Sequence, residues 1–76
     1  MEDYHLKVWK FIDRVAYMNN MSVSALAKKA GLDATSFNKS KRFYPSGQPR
    51  WPSTESVFKV IKVMDINYQN FLDYLE

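Results

Sequence analysis

The sequence contains no cysteine, so neither a disulfide nor a thiolate metal site can staple the fold. Two glycines are too few for a glycine-rich phosphate loop. The one histidine, His5, has no second ligand of the Cys/His type. It reads as a surface or partly packed side chain rather than a metal ligand or a catalytic base. The serines, 22, 24, 36, 40, 46, 53 and 56, read as caps and polar faces. No apolar run approaches the ~20 residues of a membrane span, and no signal-peptide pattern opens the chain. These absences lead us to expect a cytoplasmic, non-enzymatic chain with no cofactor, no metal and no membrane.

Seventy-six residues make one domain at most, 1–76, near the lower limit at which a core holds unaided. Packing must therefore supply the stability. Five Phe, five Tyr and two Trp suit that task, since each aromatic buries on the order of 150–250 Å². The formal charge of +3 is unevenly spread. Residues 1–27 are neutral, whereas residues 28–50 carry Lys28, Lys29, Lys39, Lys41, Arg42 and Arg50 against Asp33 alone, a net +5. Residues 51–76 carry a net −2. A basic middle of this kind suits a polyanion, DNA or RNA, although a solvated face would have the same composition.

The apolar spacing predicts five helices and no strand, an all-α fold. Val8, Phe11, Ile12 and Val15 give an amphipathic first helix over Tyr4–Met18, ended by Asn19-Asn20. Ser22 caps a second, Val23–Ala30, with Leu26, Ala27 and Ala30 inside and Gly31 as its stop. Asp33 caps a third, Ala34–Ser40, anchored by Phe37. Residues 41–52 are punctuated by Pro45, Gly47, Pro49 and Pro52 and read as irregular. Ser53 caps a fourth helix on Val57, Phe58, Val60, Ile61 and Met64. Asn67 caps a fifth, on Tyr68, Phe71, Leu72 and Leu75. Methionines 18, 21 and 64 read as core filler.

The informative stretch runs from Val23 to Arg42. Ala27 lets two short helices approach, Gly31 permits a sharp turn four residues on, and Phe37 fills the wedge six residues later. An αα-corner in an ordinary bundle would need the same packing. The chemistry downstream favours DNA: Thr35, Asn38, Lys39, Lys41 and Arg42 gather on or beyond the outward face of the third helix, where side chains reach base edges or phosphates. In the 43–51 loop, Phe43, Tyr44 and Trp51 are costly to leave in water. We expect Trp51 to pin an ordered loop that holds Arg50 toward a DNA backbone.

The segment Leu26-Ala-Lys-Lys-Ala-Gly-Leu-Asp-Ala-Thr-Ser-Phe-Asn-Lys-Ser-Lys-Arg42, with Pro49-Arg-Trp-Pro-Ser-Thr-Glu-Ser56, resembles the helix-turn-helix of the lambda-repressor-like (Cro/CI-type) family. Within it, the chain resembles the phage-type repressors of bacteria that carry a LexA-like C-terminal domain. The resemblance covers about Ser22 to Leu75. It implies a five-helix domain with its motif at about 23–40, which binds double-stranded operator DNA as a transcriptional repressor in the bacterial cytoplasm and nucleoid. Base contacts would come from Ala34, Thr35, Asn38 and Lys39, and phosphate contacts from Ser24, Lys28, Lys41, Arg42 and Arg50. Val23 and Ala34 stand where the family often has Gln, and Ser40 where it has an apolar anchor. Dimerisation is expected only on DNA or through a further C-terminal domain, with control by self-cleavage at a Ser–Lys pair in that domain. The alternative is a helical protein-interaction module that kept the motif without binding DNA.

Overall fold

The computed structural model describes residues 3–75. Its regular structure is helical, in four α-helices: α1 (Tyr4–Met18), α2 (Val23–Lys29), α3 (Thr54–Val63) and α4 (Tyr68–Leu75). No strand forms among the described residues, and no helix there is long and apolar enough to cross a membrane.

The caps are local chemistry. Asp3 accepts from the Leu6 amide at 3.2 Å, Ser22 from Ala25 at 3.0 Å, and Ser53 from Ser56 at 3.0 Å. Asn67 accepts from Gln69 at 2.8 Å before α4. Three helices then end in one way. After α1, α2 and α3 the chain passes through a left-handed residue, Asn20 (φ 56°), Gly31 (φ 77°) and Asp65 (φ 53°) respectively. The next residue reaches back to the last turn: Met21 N–H donates to the Ala16 carbonyl, Leu32 to Ala27 and Ile66 to Ile61, at 3.0, 2.9 and 2.9 Å. Met21, Leu32 and Ile66 are thereby turned onto the core, so each helix stop also adds an apolar contact.

The core is laid down along α1. Val8, Trp9, Phe11, Ile12, Val15 and Ala16 are buried, and α1 packs against α2 on one side and α4 on the other. Leu26, Ala27 and Phe37 are wholly enclosed, as are Val60 and Ile61 to within 1 %. Phe37 meets Trp9 edge-on at 6.3 Å, and Phe11 meets Phe71 edge-on at 4.8 Å. Two expected core positions of the last helix lie outside it: Tyr68 and Leu72 are about half exposed, while Phe71, Tyr74 and Leu75 pack inward. Phe58 is exposed as well, and its ring lies edge-on to Tyr68 at 5.8 Å.

The expected third helix, Ala34–Ser40, is not a regular helix. Its hydrogen bonds span three residues rather than four: Ser36 N–H to Asp33 O at 2.9 Å and Asn38 N–H to Thr35 O at 3.1 Å, followed by a 3₁₀ turn at Lys39–Lys41. Two competitors explain this. The Asp33 carboxylate takes the Thr35 amide at 2.9 Å and the Thr35 hydroxyl at 2.8 Å. The Phe37 carbonyl, which an α-helix would offer to Lys41, instead accepts from the Arg42 guanidinium at 3.0 Å, and Asn38 is extended at ψ 151°. Four α-helices with a compact turn segment replace the five expected helices.

Candidate functional site

Arg42 organises the surface that follows α2. Its guanidinium makes a two-pronged contact with Asp13 of α1, both oxygens at 2.7 Å, and its Cζ lies 4.8 Å from the Trp9 ring centroid. The residue is buried, and its Nε has no acceptor among the described residues. Arg42 was expected on a DNA phosphate. With its cation paired inside the protein, it serves as a tie between α1 and the turn segment.

His5 is the second departure from expectation, being 3 % exposed rather than at the surface or only partly packed. Its Nε2 lies 2.7 Å from the Arg42 carbonyl and 3.0 Å from that of Arg50. Carbonyls only accept, so Nε2 carries the proton. The Trp9 indole N–H donates to the same Arg50 carbonyl at 2.9 Å, and the Arg50 amide donates to Arg42 O at 3.0 Å. These bonds close the base of a loop whose interior is held by Tyr44 N–H to Gln48 O at 2.9 Å and Gly47 N–H to Tyr44 O at 2.8 Å. The loop is ordered, as expected, but its pins are His5 and Trp9. Trp51 is 54 % exposed and touches His5 edge-on at 5.8 Å.

Beside this loop opens a cleft of ≈ 500 Å³. It brings together Thr35 and Lys41 from the turn segment, Arg50, and the rings of Tyr44 and Trp51, with Asp33 also lining it. The Arg50 guanidinium lies over Tyr44, 5.4 Å from the ring centroid. Thr35 is exposed, but its hydroxyl proton goes to Asp33. The two donors from Thr35 hold the Asp33 carboxyl below its ordinary 3.8, and the Lys41 charge lowers it further.

The other expected contact residues lie outside the cleft. Ser24 and Lys28 are on α2, half-buried and exposed respectively. Ala34 and Asn38 are half-buried, and Lys39 is exposed at the start of the 3₁₀ turn. Lys28 and Lys29 occupy the last turn of α2, where positive charge suits the helix dipole. Sequence reasoning missed the positioning set His5, Trp9 and Asp13. A signal existed: spaced four residues apart on one helix, they fall in one stripe facing the turn segment.

No protein-family model, curated protein or solved structure matches the chain.

Proposed function

We propose that this chain is a sequence-specific binder of double-stranded DNA and acts as a transcriptional regulator of the lambda-repressor-like kind, akin to the phage-type repressors its sequence resembles. The observation that carries the reading is the anchored backbone of Arg50 at the edge of the cleft. Buried donors from His5 and Trp9 hold its backbone, its cation lies over Tyr44, and it lines one cleft with Thr35 and Lys41. A cation carried on a fixed backbone has less freedom to lose when it meets a phosphate, which suits a register-setting backbone contact.

In this reading α2 and the 34–41 segment face the major groove. Thr35, Asn38 and Lys39, with a methyl contact from Ala34, read bases, while Ser24, Lys28, Lys41 and Arg50 engage phosphates. Arg42 leaves the phosphate set. The short turn segment reaches one groove, so one molecule reads one half-site and pairs with a second copy on an operator.

Titrating labelled duplex pools at two salt concentrations tests this. With Lys28, Lys41 and Arg50 as the phosphate-bound cations, log affinity should fall with log salt at a slope of about −3. Asn38→Ala should cost about 1–3 kcal/mol at one base position only. Arg50→Gln should weaken all sequences alike. No binding at low salt would sink the reading. It would favour the alternative, a protein-interaction module, for which the exposed Phe58, Tyr68 and Leu72 are the supporting feature.

A further inference from the structure

The cleft beside Arg50 holds more chemistry than a DNA backbone uses. Lys41 and Arg50 supply two cations, and neither forms an ion pair among the described residues, whereas Arg42 next to Lys41 is paired with Asp13. Tyr44 and Trp51 add two aromatic rings, 49 % and 54 % exposed, to the same lining. Asp33, whose Oδ1 already accepts both Thr35 donors, adds a carboxylate acceptor. A phosphate answers the cations. A flat heteroaromatic base answers the rings, since every base has a π-face that stacks on an aromatic side chain. An exocyclic amine or a sugar hydroxyl answers the carboxylate. A bare inorganic anion would use the first feature only, and an apolar ligand the second only. At ≈ 500 Å³ the cleft lies within the roughly 300–1,000 Å³ of small-molecule sites.

We propose that this cleft is an effector site for a free mononucleotide, with the phosphate on Arg50 and Lys41, the base against Trp51 or Tyr44, and Asp33 accepting from the sugar or base. The Arg50 backbone is held without ligand and its guanidinium already lies over Tyr44, so binding reorganises little of the backbone here. Binding of the nucleotide stands independently of the DNA reading. Its regulatory consequence rests on that reading, because an occupied cleft denies Lys41 and Arg50 to a duplex backbone.

Calorimetric titration of the 76-residue chain with deoxyadenosine monophosphate, inorganic phosphate and deoxyadenosine is the test. The nucleotide should bind saturably, with phosphate and nucleoside each weaker by about tenfold or more, which is about 1.4 kcal/mol. Arg50→Gln and Trp51→Leu should each weaken the nucleotide, with unchanged thermal melts showing that the fold survives. Lys59→Gln, outside the cleft, should leave binding unaltered. Phosphate binding as well as the nucleotide, the nucleoside doing so, or no saturable heat with any of the three would overturn the site. Labelled duplex should then be displaced by the nucleotide; binding without displacement overturns the regulatory role. A chain that takes nucleotide but no DNA at low salt would refute the DNA reading and leave the site standing.

Discussion

Two side chains show how much a single residue decides in this small core. In the Asp13–Arg42 pair the aspartate side chain is 41 % exposed and the arginine 11 %. Removing the aspartate therefore strands a cation that is nearly enclosed, while removing the arginine leaves an anion that water reaches readily. Asp13→Ala should cost about 3 kcal/mol in urea melts. Arg42→Met should cost less, about 1–2 kcal/mol, chiefly the lost bond to the Phe37 carbonyl. Equal losses would show that the pair is hydrated on both sides. Asp33 behaves differently because it is fully solvent-exposed. Its carboxyl is held below 3.8 by Thr35, so the stability it contributes is present above the unfolded value and disappears as pH falls through the lower folded one. Asp33→Asn should therefore reduce stability at pH 7 and flatten the acid limb of a melt series below about pH 4.

At the scale of elements, the three matching helix stops separate steric from conformational costs. A Cβ at Gly31 would meet nothing within 4 Å, so only its φ of +77° opposes a side chain. Gly31→Ala should cost about 1 kcal/mol, and Gly31→Val more. The opposite change at the equivalent place after α3, Asp65→Gly, should be stabilising by up to about 1 kcal/mol in thermal melts. The stops at Asn20 and Gly31 were readable in the sequence, as were the caps at Ser22, Ser53 and Asn67. Each depends on neighbours within four residues, and α1, α3 and most of α4 follow from apolar spacing in the same way. The 34–41 segment was not readable. Beside the local Asp33–Thr35 bonds, its outcome turns on Arg42 reaching the Phe37 carbonyl while bonded to Asp13, 29 residues away. The burial of His5 was hidden likewise, because its acceptors lie 37 and 45 residues along the chain. Of the expected contact set, Thr35, Lys41 and Arg50 share one cleft, whereas Arg42 belongs to the core. Periodicity and charge cannot distinguish an outward arginine from one enclosed by a distant carboxylate.

Across the whole molecule, α1 is the member shared by two halves. One half is α2 with the turn segment and the loop held by His5 and Trp9; the other is α4, packed through Phe11, Phe71 and Tyr74. The second half closes where the Lys7 ammonium donates to the Leu75 carbonyl at 3.1 Å, which places the first turn of α1 beside the last turn of α4. That neighbourhood makes the order of the elements along the chain separable from their arrangement in space. A short glycine-serine bridge from the end of α4 to the start of α1 would let the chain be opened elsewhere. The exposed tip at Ser46-Gly47 suits the cut, since the bonds from His5, Trp9 and Arg50 close the loop below it. Such a circular permutant should melt in a single transition within a few degrees of the parent. Its two new ends would leave beside the cleft, a position from which a tethered dye or cross-linker would sample whatever the cleft holds.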